Sequence, residues 1–98
     1  MQLDYANREL ERICCDAGYM QRKLGAQVAK ALKLRIAELR YATEMPDLLL
    51  GTGRWEELCG DRTGQWSARL TANWRLIVAP DDGDTITVLI VEVVDYHR

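Results

Sequence analysis

The apolar residues Leu24, Val28, Leu32, Ile36 and Leu39 recur every three or four positions. That spacing is one face of an α-helix. It predicts a long helix from about Tyr19 to Thr43, closed by Pro46, which cannot continue a helix. Upstream, Leu3-Asp4-Tyr5-Ala6 alternates and predicts a short first strand. Asn7 is a good N-cap, so a first helix is expected from about Arg8 to Cys15, broken at Asp16-Ala17-Gly18. Beyond Pro46 the period changes. Asp47 to Arg54 reads as a loop punctuated by Gly51 and Gly53, and Glu56 to Cys59 as a short strand. Trp66-Ser67-Ala68-Arg69-Leu70 and Trp74-Arg75-Leu76 alternate apolar with polar, around a hairpin loop at Thr71-Ala72-Asn73. Pro80-Asp81-Asp82-Gly83-Asp84 is a second turn. Thr85 to Val94 is rich in β-branched residues on both faces and is expected to be a central strand. The pattern defines an α+β fold: two N-terminal helices packed on an antiparallel β-sheet, in a single domain over residues 1–98.

Composition agrees with one small globular domain. The chain has 98 residues, 48% hydrophobic and 29% charged, far from the profile of a disordered segment. The formal charge is only −2, but it is unevenly spread. Arg22, Lys23, Lys30, Lys33, Arg35 and Arg40 crowd the long helix, whereas acidic residues crowd the last twenty positions. Local fields decide what docks where. Cys14, Cys15 and Cys59 form neither a disulfide framework nor a zinc motif. Charged residues interrupt the first nine positions, so no secretory leader is expected there. No apolar run is long enough for a membrane span. These features predict a cytoplasmic protein without metal, small-molecule cofactor or membrane contact.

The hairpin carries the first chemical signal. A three-residue loop pairs Leu70 with Trp74, Arg69 with Arg75 and Ala68 with Leu76. This keeps Trp66, Ala68, Leu70, Trp74, Leu76 and Val78 on one face, whereas a two-residue loop would scramble the faces. The same register sets Arg69 directly against Arg75, at a cost of a few tenths of a kcal/mol to about 1 kcal/mol. Two readings stand. A polyanion bound between the guanidinium groups would offset the repulsion, or Glu92 on the next strand neutralises Arg75. Arg35, inside the apolar stripe of the long helix, is expected to bend toward the cleft.

Two further motifs lie downstream of Trp55. Gly60-Asp61-Arg62-Thr63-Gly64-Gln65 is a polar turn between glycines, with no phosphate-binding lysine or following helix. Asp95-Tyr96-His97 holds the single histidine of the chain. Asp95 there is able to orient an imidazole, and Tyr96 to stack on a base. Taken in order from Gly60 to Ser67, through Asn73-Trp74-Arg75 and Glu92 to Asp95-Tyr96-His97, these residues resemble the HigB-type killer toxins of the RelE/ParE superfamily. The likeness in order and spacing runs from about Trp55 to the end; the first 50 residues agree only in pattern.

The resemblance implies a bacterial type II toxin–antitoxin toxin that cuts messenger RNA on the ribosome without a metal. The RNA 2′-hydroxyl attacks the adjacent phosphate, so the protein must position that phosphate, stabilise its charge and move protons. Carried onto this chain, Arg75 stabilises the phosphate, His97 is the acid or base, Tyr96 positions base or backbone, and Asp95 fixes His97. Similar toxins commonly have histidine where this chain has Glu56, and some have lysine in place of Cys59. Glu56 can serve as general base, and Arg69 replaces the missing positive charge. Arg62, Arg69, Lys30 and Lys33 complete the expected RNA-binding set. The implied partners are mRNA, the ribosome and a cognate antitoxin, a helix-turn-helix protein of HigA type. A second class stays open: a non-catalytic member of the superfamily, either a ParE-like gyrase poison or a degenerate toxin that only binds antitoxin or ribosome. No helix-turn-helix pattern is visible in the chain itself, which speaks against a transcriptional regulator.

Overall fold

A computed structural model describes residues 1–81 and 84–95. The chain opens with strand β1 (Gln2–Tyr5). Asn7 is extended, and its side chain accepts a 2.9 Å hydrogen bond from the Leu10 amide, which starts α1 (Arg8–Cys15). Asp16 ends this helix and begins the next. Its own amide donates to the Arg12 carbonyl, while its carboxylate accepts from the Tyr19 amide at 3.1 Å, opening α2 (Ala17–Leu24). Capping by short polar side chains satisfies amides that the first helical turn leaves unpaired.

The long helix expected from Tyr19 is two helices. Gly25 adopts φ +83°, a left-handed conformation that suits glycine, and separates α2 from α3 (Ala26–Tyr41). The apolar spacing runs through this break without interruption, so periodicity alone does not reveal it. Pro46 does not end the helix directly. It sits in the first turn of a 3-10 segment, Met45–Leu50, in which Glu44 and Asp47 cap one another's backbone.

The sheet has five strands in the order β1-β5-β4-β3-β2. Strands β2 (Glu56–Glu57), β3 (Trp66–Arg69), β4 (Trp74–Asp81) and β5 (Asp84–Asp95) pair antiparallel. β1 departs from expectation and pairs parallel to β5. The sheet is therefore mixed, because the chain returns from β1 through a layer of helices before it reaches β5. β5 lies between two neighbours, as its β-branched composition requires. The hairpin has the register read from the sequence, with Ala68 opposite Leu76 and Arg69 opposite Arg75.

The helices cover one face of the sheet. Met20, Leu32 and Leu39 meet Ala68, Leu76, Val78 and Ile90 in the core, where each of these side chains is at most 1% exposed. Each large side chain buried there stabilises the fold by about 1.5–3 kcal/mol. Trp66 and Trp74 pack against this core, as expected from their alternation. Among the described residues no helix is long and apolar enough to cross a membrane.

Candidate functional site

Strand alternation sends the remaining side chains to the uncovered face. Glu56, Ser67, Ile77 and Glu92 form one row across β2, β3, β4 and β5; Arg69, Arg75 and Val94 form the next. Where the two rows meet the loop before β2, a cleft of about 350 Å³ opens. Its lining is Arg54, Trp55, Glu56, Ser67, Arg69 and Arg75. Three guanidinium groups and one carboxylate thus share a single depression.

Arg75 is fixed along one edge. Its Nη1 donates to the carbonyls of Thr71 at 2.8 Å, Trp74 at 2.9 Å and Ala72 at 3.2 Å. The hairpin loop therefore holds the guanidinium plane, and no hydrogen bond from Nε or Nη2 to a described residue is present. An arginine with a tethered edge and an open one is prepared for bidentate binding of a phosphate or carboxylate. Arg69 is exposed, and its amide donates to the Gly53 carbonyl at 2.8 Å, which ties the loop to β3. Ser67 is 3% exposed and stands directly opposite Glu56.

The loop carries a strained residue. Arg54 has φ +50°, a left-handed conformation that costs a residue with a Cβ about 1–2 kcal/mol. Its neighbours hold it there. A Cβ on Gly53 would lie 2.4 Å from Nη1 of Arg35 and 2.7 Å from Nε1 of Trp55. Arg35 is 7% exposed and pairs with Glu38 one turn along α3, Nη1 to Oε1, at 2.6 Å. Arg35 therefore does not reach into the cleft as the sequence reading expected; it lies buried behind the cleft wall, against Gly53.

Arg62 and Glu92 correct another expectation. The 3-10 turn Gly60–Arg62 brings the Arg62 guanidinium onto the Glu92 carboxylate, and Arg62 Nη1 also donates to Gln65 Oε1 at 2.9 Å. Glu92 thus neutralises Arg62, not Arg75, because it stands opposite Ile77, one row away. Arg62 lines a neighbouring depression with Glu56, Glu57, Leu58, Cys59 and Asp61. That depression is acidic, and β2 divides it from the arginine cleft.

The other candidates are more scattered. Lys30 and Lys33 are exposed on α3, in the helix layer and away from the cleft lining. Asp95 stands opposite Trp74, so it belongs to the helix-side row rather than to that of Arg75. Tyr96 and His97 lie outside the described residues. Arg54 and Ser67 are site residues that the sequence reading missed. Ser67 was within reach of it, since the face opposite Trp66 and Ala68 necessarily carries Ser67 with Arg69 and Arg75. Arg54 gives no such signal, because a left-handed arginine has no sequence signature.

The architecture, an antiparallel hairpin sheet closed by one parallel strand with helices on one face, is a fold shared with solved YoeB/ParE and YoeB structures. Solved structures align over nearly the whole chain. A YoeB/ParE toxin from Agrobacterium tumefaciens matches with TM-score 0.70 at 18% identity, covering 99% of this chain and 100% of that one. A YoeB-YefM complex from Staphylococcus aureus matches with TM-score 0.67 at 21% identity, covering 100% and 98%. A mutant of YafQ from E. coli matches with TM-score 0.60 at 15% identity, covering 96% and 91%. No model of a known family and no curated protein sequence matches the chain.

Proposed function

We propose that the protein is the toxin of a type II toxin–antitoxin pair, and that it cuts mRNA on the ribosome by a metal-independent reaction. The observation that carries this reading is Arg75, tethered at Nη1 and open at Nε and Nη2, in a cleft shared with Arg54, Arg69, Glu56 and Ser67. The charge suits a phosphodiester. Glu56 takes the proton from the 2′-hydroxyl as its oxygen attacks the adjacent phosphorus. Arg75 holds the charge that builds on the non-bridging oxygens. The bond to the 5′-oxygen then breaks, and that oxygen takes a proton from His97, leaving a 2′,3′-cyclic phosphate and a 5′-hydroxyl. Tyr96 positions the nucleotide and Asp95 orients His97. The roles of these last three follow from the HigB-type likeness in the sequence.

The same reading places the protein in the bacterial cytoplasm and gives it an antitoxin partner, of HigA-like helix-turn-helix type. Its support is the fold shared with a toxin solved together with YefM. The test is expression of the parent chain, Arg75→Ala and Arg75→Lys, with mapping of mRNA ends. Parent cleavage within codons, lost in Arg75→Ala and reduced about a hundred-fold or more in Arg75→Lys, is the expected result. Lysine keeps the charge but loses the tethered, two-pronged geometry. Equal cleavage by all three would reject the mechanism.

A second reading rests on the carboxylates. Glu56 lines the cleft, and Glu57 and Asp61 crowd the depression beside it, which opposes RNA. On that reading the protein only binds: a ParE-like gyrase poison, or a degenerate toxin holding antitoxin or ribosome. DNA damage without cleaved mRNA would favour it.

A further inference from the structure

Arg54 is the residue of the cleft whose placement is hardest to explain by folding alone. It sits in a left-handed conformation that nothing in its side chain favours. It lines the depression with Arg69 and Arg75, and it has no carboxylate partner among the described residues. Its surroundings are built to keep it there. Gly53 before it is buried, with Arg35 Nη1 and Trp55 Nε1 crowding the space a Cβ would take and its carbonyl bonded to the Arg69 amide. Trp55 after it is 5% exposed. The backbone on both sides is thus clamped, and Arg54 emerges from the clamp into the cleft.

We propose that Arg54 contacts a second backbone phosphate of single-stranded RNA, next to the phosphate held by Arg75. The proposal rests on the RNA-cutting reading above and assigns the cleft a two-phosphate grip. Strain that persists at a cleft is explained when the strained residue is needed there. The grip also gives the arginine row a direction. The strand would run from Arg75 on the hairpin toward Arg54 on the loop, passing Ser67 and Glu56 between them.

The test separates charge from backbone. Arg54→Ala, Arg54→Gly and Arg54→Lys are compared with the parent and with Arg75→Ala. The probe is a 2′-O-methyl RNA oligonucleotide, which keeps the phosphates and cannot be cleaved. Affinity is read across a salt series and folding by thermal melting. Arg54→Ala and Arg54→Gly should both bind about ten-fold more weakly, with the slope of log affinity against log salt shallower by about 0.7. Arg54→Lys should restore most of the slope. Melting should follow a different order, Gly above Ala, because glycine accepts the left-handed backbone.

Three outcomes overturn the proposal: Arg54→Ala binding as tightly as the parent; affinity lost in Ala but regained in Gly, which would trace the effect to the fold; or a salt slope unchanged in every Arg54 variant. If Arg75→Ala weakens binding while the Arg54 variants do not, the second phosphate contact fails and the RNA reading stands. If neither position affects binding, both fail.

Discussion

Arg69 and Arg75 stand directly opposite each other across the β3–β4 hairpin, and neither meets a carboxylate among the described residues. Like charges paired in this way destabilise a hairpin. The fold does not remove the conflict: Glu92 is taken by Arg62, and Glu56, which shares the cleft, forms no ion pair with either arginine among the described residues. The repulsion is thus retained on the one face that no helix covers, where an anionic ligand would relieve it.

The pair therefore makes opposite demands on stability and binding. Arg69→Thr should raise stability in the absence of RNA by a few tenths of a kcal/mol to about 1 kcal/mol, while weakening binding of single-stranded RNA. Urea denaturation and a binding titration at low salt measure the two effects. A variant that loses stability and binding together would show instead that Arg69 acts through packing.

Gly53 is tightly packed behind the cleft. With Arg35 Nη1 at 2.4 Å and Trp55 Nε1 at 2.7 Å from an added Cβ, Gly53→Ala forces one of two buried side chains to move. Overpacking of this kind costs about 1–3 kcal/mol. The Arg69 amide bond to the Gly53 carbonyl should weaken with it, so RNA cleavage should fall further than the loss of folded protein explains. Chemical denaturation together with cleavage by the folded fraction checks both parts.

The elements and the uncovered, arginine-bearing face were largely legible in the sequence, for physical reasons that differ by residue. The Asn7 cap, the α1 limits and the hairpin register follow from local rules, because each depends on a few neighbours and a fixed period. The split at Gly25 was hidden by an apolar stripe that continues across it. The parallel pairing of β1 was hidden because register with partners 85 residues later (Gln2 with Thr87, Tyr5 with Ile90) leaves no local trace. In the candidate site, Arg69, Arg75 and Glu56 line one depression. Arg62 is diverted to Glu92 by a turn whose course no spacing predicts. Arg35, read as a cation for the cleft, is consumed by Glu38 and Gly53 because its helix face is the buried one.

The thiols should be chemically unequal. Burial, reinforced by the neighbouring Cys15, pushes the Cys14 thiol up to about 12. Tyr5, partly buried and accepting a hydrogen bond from Cys15, is also raised. Cys15 and Cys59 are exposed. Near pH 8 iodoacetamide should modify Cys15 and Cys59 while Cys14 stays unreacted until the protein unfolds, because the thiolate is the nucleophile. The linkage has a definite sign. A proton held more tightly in the folded state stabilises it below the unfolded thiol value of about 8.5, and that contribution is lost as pH rises toward 12. Cys14→Ala should therefore flatten the alkaline fall in melting temperature, with the share due to Tyr5 remaining. Mass spectrometry after timed alkylation and melting curves between pH 8 and 11 measure the two effects.

Glu56 has two readings of its own within the cleft, general base or repulsive remnant. Among the described residues it is the only carboxylate that lines the arginine cleft, and it stands across from Ser67 within the same row of the sheet. If it removes the 2′-proton, Glu56→Gln should cut slowly at every pH. RNA affinity should increase, since one negative charge leaves the cleft. If Glu56 is merely a repulsive remnant, the same variant binds more tightly and cuts at least as fast as the parent. Single-turnover cleavage between pH 4 and 8, with affinity measured on the uncleavable oligonucleotide, tells these apart: both readings predict tighter binding, and only catalysis by Glu56 predicts that tighter binding comes with slower chemistry.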